Sequence, residues 1–145
     1  LPGGAFDKGF FIQPTVFAVA RKKRLAQEEI FGPVLSVLRA KDYEDAVAIA
    51  NSVRYGASSS IYTNDLRWAF RAMQDLEAGI TYVNAPTIGA EVQLPFGGTK
   101  ETGPTDTREA GTTALEEFTY WKTVYVDYSG RLQKAQIDTA KLVGG

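Results

Sequence analysis

Short apolar runs alternate along this chain with segments of helical periodicity, and this alternation constrains the fold more than any other feature. Three of the apolar runs are typical of strands: residues 34–38, 57–63 and 80–83. A first helix is predicted from its N-cap Asp42 to Gly56, and a second from Asn64 to Gly79. Because helices between strands at this spacing form βαβ units, the sequence predicts an α/β fold with a partly parallel sheet.

The N-terminal third of the chain gives weaker signals. Residues 11–19 are predicted to be extended, with Pro14 either placing the strand at a sheet edge or breaking it in two. Residues 24–29 predict a short helix that stops at Gly32 and Pro33. This region therefore adds a strand and a helix ahead of the first buried run.

A long segment that contains glycine and proline, residues 84–107, follows the strand at 80–83. A loop of that length inside a compact domain is usually functional or disordered. Ligands of α/β sheets bind beyond the carboxyl ends of strands, so this loop is the first place to expect a site. Farther on, Asp106 and Glu109 at capping-box spacing predict a third helix, and residues 122–128 predict a final strand. The inward face of the third helix would consist of Ala110, Ala114, Leu115 and Phe118.

The absence of cysteine and histidine excludes thiol and imidazole chemistry within these 145 residues. The lack of a disulfide framework agrees with a reducing, cytoplasmic location. The net charge of −1 gives no field that would draw the chain to nucleic acid or to an anionic membrane. The basic run at residues 21–24 is interpreted as a solvated stretch, and no apolar run approaches the ~18 residues that span a bilayer. We therefore expect no metal site, no nucleic-acid partner and no membrane partner.

The sequence QEEIFGPV at residues 27–34 is a candidate cofactor site. The Glu29 carboxylate only accepts hydrogen bonds, so the two adjacent hydroxyls of a ribose suit its two oxygens. Phe31 offers a flat apolar face beside it, and the Gly-Pro pair that follows would turn both side chains toward one cleft. Taken alone, an acidic pair beside an aromatic residue is also typical of a solvated helix end.

The sequence LPFGGTK at residues 94–100 is a second candidate. Gly97 and Gly98 would let the backbone approach a ligand closely while Phe96 faces it. The alternative is a tight turn around a core phenylalanine, since Gly-Gly is a common turn signal.

Together and in this order, these segments resemble the NAD(P)-dependent aldehyde dehydrogenase superfamily. The resemblance extends to about Tyr128 and implies an aldehyde dehydrogenase-like α/β fold, of which this chain is the C-terminal part. Residues 1–120 would belong to the catalytic domain, and residues 121–145 would form an oligomerisation strand and tail. Besides the two motifs, the matching pieces are residues 9–16, 55–57, 62–65, 78–79, 83–84, 108–111, 118–119 and 122–124.

The resemblance implies a role for each matched residue. Glu29 would bind the hydroxyls of the nicotinamide ribose, and Phe31 would pack against the nicotinamide end of NAD or NADP. Phe96 would line the aldehyde tunnel near the reacting carbon, and the loop from Asn84 to Glu91 would form one wall of that tunnel. The loop residues expected to contact substrate are Thr87, Ile88, Gly89 and Ala90.

The resemblance also implies parts that these residues do not contain. In the family, an upstream cysteine thiolate attacks the aldehyde, an upstream glutamate activates water, and the dinucleotide-binding fold lies upstream as well. The chain would thus hold cofactor and substrate for the oxidation of an aldehyde to a carboxylic acid, and its partner would be the N-terminal part of the same subunit. The alternative is a non-catalytic module of the same fold, retained for assembly.

Two departures from the family pattern bear on these expectations. Residues 104–107 lengthen the link before Arg108 and Glu109, which leaves the start of the third helix open. The Gly89-Ala90 pair is similar to the branch that oxidises semialdehydes with a distal carboxylate, such as those of glutamate (in equilibrium with pyrroline-5-carboxylate) and aminoadipate. Backbone N–H groups in such a turn can receive a carboxylate. The alternative is a plain turn.

Residues 122–128 resemble the family's oligomerisation strand, which pairs with another subunit. An unpaired apolar edge is otherwise an aggregation liability, and aromatic residues are favoured at interfaces. The aromatic residues in and beside this strand are Phe118, Trp121, Tyr125 and Tyr128. The sequence therefore predicts a homo-oligomer, and the alternative is an internal core strand.

Overall fold

The structure, a computed structural model, describes residues 3–89, 91–103 and 108–131. Within these residues the strands are β1 Thr15–Ala18, β2 Val34–Val37, β3 Tyr55–Gly56, β4 Ser58–Ile61, β5 Ile80–Val83 and β6 Thr99–Lys100. The α-helices are α1 Tyr43–Ala50 and α2 Leu66–Asp75. Short 3-10 helices lie at Gly4–Lys8, Arg24–Ala26 and Thr112–Phe118.

The strands form three pairs, two of which are parallel. β1 pairs with β2 from Thr15↔Val34 to Ala18↔Val37. β4 pairs with β5 from Ser58↔Ile80, and α2 connects the two strands. The prediction of an α/β fold with parallel pairing is therefore confirmed. The third pair, β3 with β6, is antiparallel and only two residues long, and the sequence did not predict it.

Both helices begin where the sequence predicts, because their N-terminal signals are local. The Asp42 carboxylate accepts a hydrogen bond from the Asp45 N–H at 2.8 Å and caps α1. The Asp65 carboxylate does the same for α2 by accepting from the Arg67 N–H at 2.8 Å. Hydrogen bonds from Arg67 also hold the pKa of Asp65 below its usual value.

Both helices end earlier than predicted. α1 ends at Ala50 rather than at Gly56, and α2 ends at Asp75 rather than at Gly79. The Asn51 side chain donates to the Asp75 carbonyl at 2.7 Å, so one amide joins the two helix C-terminal ends. Gly56 and Gly79 do not end the helices. They are joined by a hydrogen bond, which the Gly79 N–H donates to the Gly56 carbonyl at 2.9 Å.

The N-terminal elements are shorter than predicted. β1 begins directly after Pro14 and has one partner strand, so the strand lies at a sheet edge rather than being broken in two, and residues 11–14 are not part of it. The helix predicted over residues 24–29 was wrong: the chain makes a single 3-10 turn, Arg24–Ala26, and no side chain caps its N-terminus. The Glu28 N–H donates to the Arg24 carbonyl at 2.9 Å, but this one α-type hydrogen bond is not continued into a helix.

The C-terminal elements differ most from prediction. The third helix is a 3-10 helix, Thr112–Phe118, and its expected inward residue Phe118 is 88% exposed. Asp106, half of the predicted capping box, lies outside the described residues. Residues 122–128 are exposed and pair with no strand among the described residues, so the alternative of an internal core strand was wrong, whereas a strand that pairs with another subunit stays a prediction. The division of the chain at residue 120 stays a prediction.

The described residues bury very little apolar side chain. The buried hydrophobic residues are two alanines of α2, Ala69 and Ala72. Large apolar side chains on β1, β2 and α2 are exposed, and two-stranded sheets are marginal by themselves. Neither α-helix is long and apolar enough to cross a membrane.

Candidate functional site

A cleft of about 660 Å³ lies beside the first sequence motif. Its walls come from the start of QEEIFGPV, the C-terminal ends of both helices, β3 and β4, and the turn after LPFGGTK. The lining residues are 26–29, Ala50, Asn51, Val53, 55–60, 76–78, Glu101 and Thr102. Sites for small molecules have volumes of about 300–1,000 Å³, so the cleft is large enough for part of a cofactor.

Glu29 lines this cleft and is exposed to solvent. The turn that holds it is fixed by backbone hydrogen bonds, with the Glu28 N–H donating to the Arg24 carbonyl at 2.9 Å. Phe31 is 98% exposed and does not line the cleft. The two side chains therefore do not share this cleft within the described residues, and the cofactor roles of Glu29 and Phe31 stay predictions.

Arg54 forms an ion pair with this motif and another with the turn after LPFGGTK. Its Nη2 atom lies 3.1 Å from the Glu28 carboxylate, and its Nη1 atom lies 3.3 Å from the Glu101 carboxylate. The Glu28 carboxylate, more than any other group, raises the pKa of Arg54 above its ordinary value. The contact joins the two sequence motifs, which lie far apart in the chain.

The loop predicted to form a tunnel wall is anchored at both ends. The Asn84 side chain accepts from the Thr63 N–H at 2.8 Å and donates to the Thr63 carbonyl at 2.9 Å. At the other end, the Tyr82 hydroxyl donates to the Gly89 carbonyl at 2.9 Å. Gly89 has φ +86°, a conformation that favours glycine. Sequence reasoning missed the anchoring role of Tyr82, because its partner is fixed only by the path of the loop.

The predicted substrate residues lie in this loop and in the second motif. Thr87, Ile88 and Gly89 are exposed, and Ala90 lies outside the described residues. Phe96 is 37% exposed. None of the described members of this set lines the cleft at Glu29. Among the described residues, the substrate candidates therefore do not share the cleft that Glu29 lines.

The second motif is packed tightly against the rest of the chain. A Cβ atom at Gly79 would lie 1.8 Å from the Gly97 carbonyl oxygen, and one at Gly98 would lie 2.5 Å from the Thr102 side chain. Gly79 therefore permits a close approach of its backbone to that of Gly97, and Gly98 leaves room for the Thr102 side chain. The Phe96 carbonyl also accepts from the Glu109 N–H at 2.7 Å, which ties this motif to the third helix region.

The comparison with protein families agrees with this arrangement of motifs. The model of the aldehyde dehydrogenase family matches residues 1–124. The chain therefore belongs to the aldehyde dehydrogenase family.

Two curated relatives have the same level of similarity but different names. The chain is 44% identical over 127 residues to the alpha-ketoglutarate semialdehyde dehydrogenase of Haloferax volcanii. It is also 44% identical over 127 residues to the betaine aldehyde dehydrogenase of Rhizobium leguminosarum bv. trifolii. Each alignment covers 87% of this chain and 26% of the relative. The chain thus spans about a quarter of the length of the relatives it matches.

A solved structure has the same fold over most of the chain. The Mycobacterium tuberculosis aldehyde dehydrogenase complexed with NAD+ superposes with a TM-score of 0.80 at 39% identity. The superposition covers 90% of this chain and 26% of that protein. The fold described here is therefore a portion of the aldehyde dehydrogenase fold.

Proposed function

We propose that this chain is the C-terminal portion of an NAD(P)-dependent aldehyde dehydrogenase subunit that oxidises an aldehyde to a carboxylic acid. The observation that carries the proposal is that Glu29 lines a cleft of cofactor size in a chain that matches the family over residues 1–124. The described residues would bind and orient the reactants, and the reacting groups would come from the rest of the subunit.

The residues at the cleft suit a nicotinamide ribose. Glu29 presents an exposed carboxylate, which would accept hydrogen bonds from two adjacent hydroxyls. The nicotinamide supplies the hydride acceptor for the oxidation when it is bound. Phe31, two residues after Glu29 and exposed, would pack against the nicotinamide end. Holding the acceptor ring at one distance from the aldehyde carbon is the contribution of this motif to the rate.

The nucleophile would come from outside these residues. The chain contains no cysteine, whereas a thiolate is the nucleophile that the family resemblance implies. The exposed apolar faces of β1, β2 and α2 would pack against the upstream part of the subunit. A reducing, cytoplasmic compartment would keep such a thiol reduced.

The substrate would be a semialdehyde with a distal carboxylate. Gly89 adopts a positive φ at the end of the loop that Tyr82 anchors, which suits a turn whose N–H groups receive an anion. The name of the Haloferax relative agrees with this class, whereas the name of the Rhizobium relative indicates a cationic aldehyde. Loop residues Thr87 and Ile88 would line the tunnel with Phe96.

A comparison of matched aldehydes tests this substrate class. The polypeptide that contains this chain would be assayed with aldehydes of equal length that end in a carboxylate, a methyl group or a trimethylammonium group. We expect kcat/KM to be highest for the carboxylate by about tenfold or more. Equal values, or a preference for the cation, would contradict the carboxylate assignment while leaving aldehyde oxidation intact.

The subunits would assemble through residues 122–128. The aromatic side chains of this segment are exposed and have no strand partner within the described chain. A sheet edge or arm of a second subunit would cover them. Light scattering on the polypeptide, with and without Tyr125→Asp, measures this directly, and we expect the variant to dissociate.

The same exposed surface suits a second function, a non-catalytic interaction fragment, because the chain has no nucleophilic cysteine. The intact denatured mass of the polypeptide from its native source separates the two. A mass several times 15.8 kDa supports the dehydrogenase subunit. A mass near 15.8 kDa favours the interaction fragment, and this chain by itself would show no aldehyde-dependent reduction of NAD(P)+.

A further inference from the structure

One guanidinium bridges the two sequence motifs. Arg54 donates from Nη2 to the Glu28 carboxylate at 3.1 Å and from Nη1 to the Glu101 carboxylate at 3.3 Å. Glu28 lies 26 residues before Arg54, and Glu101 lies 47 residues after it. The planar guanidinium offers its donors in a fixed fork, so it sets the distance and angle between the two carboxylates.

Further contacts hold the guanidinium in one orientation. It lies 4.7 Å from the centre of the Tyr55 ring, and it donates a hydrogen bond to the Tyr55 hydroxyl. The backbone of Arg54 is fixed as well, because its carbonyl accepts from the Glu101 N–H at 3.1 Å. Arg54 is therefore joined to the turn after LPFGGTK by both backbone and side chain.

Glu28 links Arg54 to the cofactor motif, because it is part of QEEIFGPV. Glu28 precedes Glu29, and both line the cleft. We propose that Arg54 is a positioning residue: by bridging Glu28 and Glu101 it holds Glu29 at a constant distance from the segment that contains Phe96. This inference rests on the proposed function, since Glu29 is taken to bind the ribose and Phe96 to line the tunnel.

The solvent exposure of the three side chains determines whether the loss of Arg54 is measured in stability or in turnover. The side chains of Arg54, Glu28 and Glu101 are 51%, 37% and 61% exposed, and exposed ion pairs add little to global stability. The loss of Arg54 therefore changes the position of Glu29 and leaves the unfolding temperature nearly constant. A small displacement of a reacting group lowers a rate strongly, so turnover is the sensitive quantity.

The test uses Arg54→Met and Arg54→Lys in the polypeptide that contains this chain. We expect Arg54→Met to lower kcat about tenfold and to leave the KM for the aldehyde within about twofold. Arg54→Lys keeps the charge without the fork, so it restores part of the loss. The matched control is Arg67→Met, because Arg67 forms an exposed ion pair with Asp65 at the start of α2, away from the cleft.

A double-mutant cycle with Glu28→Gln tests whether Arg54 affects turnover through Glu28. If Arg54 acts through Glu28, the two substitutions together cost no more than the larger one alone. Additive losses, or an Arg54→Met enzyme with unchanged kcat, would overturn the proposal.

Amide hydrogen exchange provides a readout that does not depend on turnover. We expect Arg54→Met to speed exchange at residues 27–31, and Arg67→Met to leave these amides unchanged. Unchanged exchange at residues 27–31 in Arg54→Met would overturn the positioning role. An unsubstituted polypeptide with no aldehyde oxidation would instead overturn the proposed function, and the exchange result would still decide whether Arg54 holds this turn.

Discussion

The ammonium of Lys100 donates a hydrogen bond to the carbonyl oxygen of Asn51 at 2.8 Å, which joins the end of LPFGGTK to the C-terminal end of α1. It also donates to the Val53 carbonyl at 3.3 Å and lies 2.8 Å from the Glu77 carboxylate. Lys100 has φ +55°, an uncommon conformation for a residue with a side chain. The contacts of the ammonium offset this local strain.

Lys100→Met is expected to destabilise the protein by about 2 kcal/mol, because it removes hydrogen bonds from a charged donor whose side chain is only 22% exposed. The decrease would be measured as a lower urea midpoint at an unchanged m-value. Lys41→Met is the control, since residue 41 lies in the exposed bend before α1. Equal midpoints for the two variants would contradict the anchoring role of Lys100.

Gly79→Ala is expected to displace the segment that contains Phe96. The new Cβ atom would lie 1.8 Å from the Gly97 carbonyl oxygen, and backbone cannot move aside as a flexible side chain can. Overpacking of this kind costs about 1–3 kcal/mol, so the unfolding temperature should fall and the KM for the aldehyde should rise.

Gly103→Ala is the matched substitution, because no atom of the described residues lies within 4 Å of a Cβ atom at Gly103. Thermal unfolding and aldehyde kinetics of both variants make the comparison. A Gly79→Ala enzyme as stable and as active as Gly103→Ala would show that the two backbones do not meet as described.

Asn84→Ala is expected to loosen the loop at residues 84–89. The substitution removes both hydrogen bonds to the Thr63 backbone and places alanine at φ +55°, where asparagine is favoured over other side chains. We expect faster amide exchange at residue 63 and a lower kcat/KM for the aldehyde. Asn84→Gly separates the causes, since it accepts the backbone conformation but lacks the amide. Recovery in the glycine variant would mean that conformation, and not hydrogen bonding, fixes the loop.

The sequence predicted those features whose cause lies within a few residues. Asp42 caps α1 because its partner is three residues away, and β1 begins only after Pro14, which has no backbone N–H to donate. The ends of the helices were not predictable in this way. Asn51 bonds to the carbonyl of Asp75, and this contact depends on how the two helices meet.

The candidate site shows the same division between local and distant causes. The motif around Glu29 was identified from its own amino-acid sequence together with the family resemblance. The Arg54 bridge was not, because its carboxylate partners are 26 and 47 residues away. Residues 122–128 have the composition of a strand, but a strand also needs a partner edge, and the described chain does not supply one.

The role of Glu29 in positioning the nicotinamide is tested most directly by the single-turnover rate of NAD(P)H formation. The rate is measured for the polypeptide that contains this chain and for its Glu29→Gln variant. We expect aldehyde-dependent NAD(P)H formation in the unsubstituted protein. In Glu29→Gln we expect a rate lower by about tenfold or more, with little change in the KM for the aldehyde. Glu44→Gln, an exposed glutamate paired with Arg71, is the control and should retain the full rate. A Glu29→Gln enzyme with unchanged turnover and ordinary cofactor affinity would contradict the proposed role of Glu29 in positioning the nicotinamide.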